Sequence, residues 1–133
     1  MNKLYLVLLC IIFLSGCKDI KEACINGRCF NLKIADTSEE RQIGLMQHDV
    51  LKKDNGMFFI FNNEDRHSIW MKNMKFPIDI IWIDSNYNVV DVKRNAEPCI
   101  DSCEIYSPKN DAMYVLEVNT NSNINIGDRI EIE

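Results

Sequence analysis

Two carboxylates sit where an acid needs a reason: Asp79 inside the apolar run 77–83, and Glu117 inside the run 113–118. A charge in an apolar strand persists only when it is paired and hydrogen-bonded, so each needs a partner or a use. Arg41, in the segment Glu40-Arg41-Gln42-Ile43-Gly44, is the best-placed cation, with Lys72 as its rival. Three arrangements are open. Arg41 and Asp79 can form a buried structural ion pair that closes a helix onto a strand. Arg41, Trp70, Asn73, Asp79 and Glu117 can line a binding pocket in which the guanidinium holds an anion. Asp79 and Glu117 can instead act as acid and base of a glycosidase-like hydrolase, which needs a cleft between the two carboxyls.

The remaining reactive side chains point mostly to structure. Met46, Met57, Met71, Met74 and Met113 are soft thioethers of a kind that binds Cu(I). Met71 and Met74 would nevertheless point to opposite faces of an extended chain, and core gap-filling is the better use. His48 and His67 have no metal or protease spacing. Ser107 lacks the glycines of a nucleophile elbow. Trp70 and Trp82 suit a core or pocket wall better than a sugar platform. Neither a metal centre nor a cofactor is expected.

The first residues read as an export signal. Lys3 supplies a positive charge, residues 4–14 are apolar without a break, and Leu14-Ser15-Gly16-Cys17 has the pattern of a bacterial lipobox. An eleven-residue helix rises only about 16 Å against roughly 30 Å of hydrocarbon, so the stretch suits a cleaved signal better than a membrane span. The expectation is a signal peptide at 1–16, acylation of Cys17, a short charged tether over 17–22 and one globular domain over 23–133. Acyl chains contribute about 0.8 kcal/mol per buried methylene, so the lipid on Cys17 is the membrane contact. Lys18 follows that cysteine in place of the aspartate that retains enteric lipoproteins at the inner membrane. The expected location is therefore the periplasmic side of the cell envelope, at the outer membrane where the source has two.

Without residues 1–16 the chain has fourteen basic and twenty acidic residues, a net charge of −6 with neutral histidines. It has no basic block to track phosphates, which argues against a nucleic-acid partner. Of six cysteines, Cys10 leaves with the signal and Cys17 takes lipid, so Cys24, Cys29, Cys99 and Cys103 remain. An even number in an oxidising compartment argues for disulfides. Asn26-Gly27, between Cys24 and Cys29, is a strong two-residue hairpin signal that would set those cysteines opposite each other. Cys99 then pairs with Cys103 by elimination. A four-thiolate zinc site is the alternative use of two close cysteine pairs.

The elements that must carry these residues are short. Phe30, Leu32 and Ile34 alternate with polar neighbours, as in a half-buried strand. Thr37 and Glu40 fit a capping box opening a helix through about Met46. Residues 57–61 read as a core strand ended by a turn cluster at 62–65. In the run 77–83, Ile78, Ile80 and Trp82 share one face and Ile81 and Ile83 the other, so both faces should be covered. A turn at 84–86 leads into a strand at 89–93, a long loop spans 94–110, and strands at 113–118 and 129–132 finish the chain. The fold class is mainly β, a small α+β single domain. Six to seven short strands would form a compact barrel or sandwich, with one short helix near 37–46.

Taken together, Glu40-Arg41, Gly44-Leu45-Met46, Gly56-Met57, Trp70-Met71-Lys72-Asn73, Pro77-Ile78-Asp79, Asp84, Ala96-Glu97-Pro98, Tyr114 to Glu117 and Gly127-Asp128 closely resemble the family called domain of unknown function 192. The resemblance runs from about Phe30 to Glu133. It implies a compact, mostly β domain, often exported, with no established activity. Gln47-His48 stands where the family often has an aromatic residue followed by arginine. The leading expectation is a non-catalytic, lipid-anchored domain that binds an envelope small molecule or a partner protein around 70–79, with the hydrolase as its rival.

Overall fold

A computed structural model describes residues 20–133. The signal at 1–16 and the acylation site Cys17 lie outside the described residues. In chain order the elements are β1 (Glu22–Ile25), β2 (Arg28–Ala35), α1 (Ser38–Ile43), β3 (Asn55–Asp65), β4 (Ile69–Trp70), β5 (Ile78–Ile83), β6 (Val89–Ala96), β7 (Ile105–Tyr106), β8 (Ala112–Asn119) and β9 (Glu131–Ile132). Seven strands make one sheet in the order β6-β5-β8-β3-β2-β1-β9, curled into a half-barrel, and β4 pairs with β7 apart from it.

Local chemistry accounts for the first elements. Asn26 and Gly27 take positive φ, 51° and 79°, the geometry that lets a two-residue turn follow the twist of its strands. Ile25 therefore faces Arg28, and Cys24 faces Cys29, to which it is joined by a disulfide. Cys99 and Cys103 form the second disulfide. Thr37 and Glu40 make the capping box, each side chain accepting from the other's backbone N–H. The helix stops at Ile43 rather than Met46, because Gly44 turns out of it at φ 49° while its N–H still reaches the Glu40 carbonyl at 2.8 Å. A Cβ at Gly44 would lie 3.3 Å from the ring of Phe59, so glycine lets the chain descend onto β3. α1 sits in the crossover between β2 and β3, which run parallel; every other pairing in the sheet is antiparallel.

Two further segments depart from the sequence expectation. The polar cluster at 62–65 does not turn. β3 continues through it, and its register against β8 shifts between Ile60 and Asp65, so a bulge absorbs the extra residues. The loop foreseen over 94–110 is shorter, because β6 runs on to Ala96 and Ile105 and Tyr106 pair with Trp70 and Ile69.

Strands β5 and β8 are covered on both faces. One face carries Met57, Phe59, Ile78, Ile80, Trp82 and Val115, packed under Leu45, Met71 and Met74. The other carries Phe58, Ile81, Ile83, Leu116 and Val118, closed by Phe30, Ile124 and Ile130. We call these the helix face and the terminal face. Gly56 lies where β3 meets β8, and a Cβ there would stand 3.0 Å from the Glu117 carbonyl oxygen.

Candidate functional site

The two buried carboxylates are one register step apart. Asp79 pairs with Val118 and Ile80 pairs with Glu117 across β5 and β8. Residues opposite each other share a face, and neighbours along a strand alternate. Asp79 therefore belongs to the terminal face and Glu117 to the helix face, with the sheet between them. They cannot flank one glycosidic bond, and the acid–base pair foreseen for a hydrolase is not assembled.

Asp79 does not pair with Arg41 either. Its carboxylate accepts from the Asn95 N–H at 2.9 Å, the Ser122 N–H at 3.1 Å and the Ser122 hydroxyl at 2.8 Å, and Arg94 Nη1 lies 3.6 Å away. A bulge in β6 makes this possible. Ile78 faces Ala96 and Ile80 faces Lys93, so Arg94 and Asn95 together stand opposite Asp79. Arg94 also reaches the Ile124 carbonyl and Asn125 Oδ1, tying the segment after β8 to the same edge. A fully partnered carboxylate of this kind fastens the structure. Lys72, the other cation considered, lies over the Trp70 ring at 5.2 Å.

Glu117 has the opposite surroundings. It is 5% exposed and makes no hydrogen bond or ion pair among the described residues. Its neighbours on the sheet are Met57 and Ile80, both apolar. Burial pushes its carboxyl up to about 8, so it is mostly protonated at neutral pH. It lines a cavity of about 340 Å³, whose walls include Arg41 and Met46 on one side, Phe59 and Phe61 on β3, and Trp70.

Arg41 is held at this cavity by the backbone. Its Nη1 donates to the Asp36 carbonyl at 2.6 Å and the Ile60 carbonyl at 2.9 Å, and its guanidinium lies over the Phe61 ring at 5.1 Å. Phe61 also stacks on His67 at 3.7 Å between centroids. Three of the five residues read from the sequence, Arg41, Trp70 and Glu117, thus meet at one cavity. Asp79 lies across the sheet. Asn73 is exposed and takes φ 58°, donating its N–H to the Cys99 carbonyl; it serves a turn and does not line the cavity.

That turn also overturns the opposite-face placement of Met71 and Met74, while their use as core side chains stands. Met71 and Met74 reach the same core cluster, because the chain turns at Asn73 instead of staying extended. Ser38, Gln42 and Ser68 also line the cavity; they were not singled out in the sequence as pocket residues, since they carry ordinary loop and helix signals. Trp82 is buried and donates to the His67 carbonyl, whereas Trp70 is 42% exposed at the cavity mouth. The four cysteines of the described domain are all in disulfides, so the thiolate zinc site is not formed.

The whole described domain has known relatives. A UPF0127 protein of Thermococcus kodakarensis is 36% identical over 65% of this chain and 52% of its own length. One from Thermococcus sibiricus is 38% identical over 77% of this chain and 66% of its own. The chain thus spans about half to two thirds of the length of these relatives. The crystal structure of a protein of unknown function from Novosphingobium aromaticivorans superposes with a TM-score of 0.75 at 29% identity, covering 84% of each chain. Residues 21–132 match the model of DUF192, described as an uncharacterised ACR, and the chain belongs to that family.

Proposed function

We propose that this is a lipid-anchored protein of the bacterial cell envelope whose domain binds a small ligand, without turning it over, in the cavity above Glu117. One observation carries the reading. A carboxyl 5% exposed, with no donor and no cation paired to it among the described residues, lines an open cavity. Desolvating such a group without a partner costs about 1–3 kcal/mol, which a ligand that bonded to it would offset. The mixture of apolar wall and a few convergent polar groups is that of small-molecule sites, and the volume lies at their small end. The lipobox pattern at 14–17 and the two disulfides support an exported setting.

Thermal unfolding with envelope glycans, metals, nucleotides and small organic acids tests the binding. A ligand that occupies the cavity should raise the melting temperature in proportion to log concentration. Ser38→Trp, an exposed substitution at the cavity rim, should leave the unliganded protein as stable and remove that shift. A shift that is unchanged in Ser38→Trp would place the ligand elsewhere, and turnover of a compound would overturn the non-catalytic assignment. For the anchor, Cys17→Ser should abolish palmitate labelling in cells; unchanged labelling would remove the lipoprotein.

A further inference from the structure

We propose that the ligand is a small organic carboxylate with an apolar body, its anion taken by Arg41 and its far polar end by Glu117. This rests on the reading of the cavity as a ligand site. Arg41 carries five N–H donors and a permanent charge. Its bonds to the protein run through Nη1 to two neutral carbonyls. The ion pairs among the described residues are Arg28–Asp54, Lys75–Asp49 and Arg94–Asp79, and none involves Arg41. Two carbonyls and the Phe61 ring fix the guanidinium, while its charge and its Nη2 and Nε donors are left without an acidic partner. A planar fork held in this way suits a carboxylate.

Glu117 completes the match as a neutral acid. Among the described residues no cation pairs with it, and burial holds its proton, so at neutral pH it can donate as well as accept. Beside it on the sheet are Met57, Ile80 and Val115, which do not titrate. Arg41 and Glu117 are the charged or titratable residues that line the cavity; Asp36, Glu39 and Glu40 precede Arg41 in the chain, His67 stacks on Phe61 and Lys72 lies over the Trp70 ring. The cavity therefore carries positive charge within a chain whose net charge is −5. An amine would need Glu117 ionised against its burial and would face Arg41. Between the polar ends lie Leu45, Phe59, Ile69 and Met74, which favour a branched or aromatic body.

The pH dependence of binding separates the two ligand classes. 4-(Hydroxymethyl)phenylacetate and 5-hydroxy-3-methylpentanoate carry a far hydroxyl and stay anionic from pH 6 to 9.5, and 4-(hydroxymethyl)phenethylamine and 5-amino-3-methylpentan-1-ol match them in shape. Titration by the NMR shift of the Trp70 indole should show the carboxylates binding at pH 6.5. Their affinity should weaken at least tenfold by pH 9.5, as Glu117 ionises. Glu117→Gln, which keeps a neutral donor, should bind them at all pH values with a flat profile, and Arg41→Met should weaken them at least tenfold at pH 6.5. If Arg41→Met does not fold, the wild-type and Glu117→Gln profiles still decide. Amines that bind more tightly above pH 8 and are lost in Glu117→Gln would overturn the carboxylate while leaving the cavity a ligand site. Absence of carboxylate binding at millimolar concentration would also overturn it. If, in addition, no compound gave a shift sensitive to Ser38→Trp, the ligand-site reading itself would fall.

Discussion

Asp79 and Glu117 look alike in the sequence: each is the lone carboxylate of an apolar strand, and they end up 1% and 5% exposed on neighbouring strands. Their environments share almost nothing. Asp79 is surrounded by two backbone N–H groups, a hydroxyl and a guanidinium, whereas Glu117 has apolar neighbours and an open cavity. Burial of an acid therefore says little about its role until its donors are counted. A carboxylate with all its bonds made strengthens the fold, and one with none weakens it. The second is the better candidate for function, because it keeps unused capacity facing a space that a molecule can enter.

The largest test of this contrast is the effect of pH on stability. Glu117 has an ordinary value of 4.5, raised to about 8 by burial in the folded chain. Between those values the folded protein holds a proton that the unfolded chain has released, so stability should fall as pH rises from about 4.5 through 8 and level off above. The loss should be on the order of 5 kcal/mol, since every tenfold difference in proton affinity between the folded and unfolded chain corresponds to about 1.4 kcal/mol. Glu40, Asp49 and Glu64 are shifted downward by their hydrogen bonds, and their contributions are lost only at more acid pH. Urea unfolding across pH 4.5 to 9 should show the slope in wild type and its absence in Glu117→Leu. A wild-type profile as flat as that of the variant would mean that Glu117 has a partner in solution.

Next in size is the loss of Asp79. Asp79→Leu should destabilise by about 3–4 kcal/mol, because it strands the Ser122 and Asn95 donors and leaves Arg94 without its acid. The same variant should bind a cavity ligand as well as wild type, since the sheet lies between the two sites. Equal stability of Asp79→Leu and wild type in urea would contradict the bonding described.

What the sequence made legible follows from how local each signal is. The Asn26-Gly27 hairpin and the Thr37–Glu40 capping box depend on residues within five positions and are found where they were expected. The two faces of β5 follow from alternation alone. The polar run at 62–65 misled because pairing with β8 overrides local turn propensity. The two-residue strands β4 and β7 are too short to leave a periodic trace. Arg94 was an omission. From Ile83 opposite Val89, plain counting puts Lys93 opposite Asp79, and two register shifts in the β5–β6 pairing bring Arg94 and Asn95 there instead. Glu117 was visible as an embedded acid, but only tertiary packing reveals that nothing answers it.

The smallest expected effect is also the closest test of which cation belongs to Asp79. Arg94 is half-exposed and 3.6 Å away, so a double-mutant cycle of Arg94→Met with Asp79→Leu should give a coupling of about 0.5–1 kcal/mol. Most of what Asp79 contributes comes from Ser122 and Asn95, and that part should remain outside the cycle. Arg41→Met combined with Asp79→Leu should be additive to within about 0.5 kcal/mol, because the two side chains lie on opposite faces of the sheet and share no partner. Arg41→Met alone should be mildly destabilising, since the carbonyls of Asp36 and Ile60 lose a donor near the surface. A coupling above about 1 kcal/mol between Arg41 and Asp79 would exceed what separate sites allow. The two faces would then respond as one unit, and the division between a structural carboxylate and a ligand-facing one would have to be abandoned.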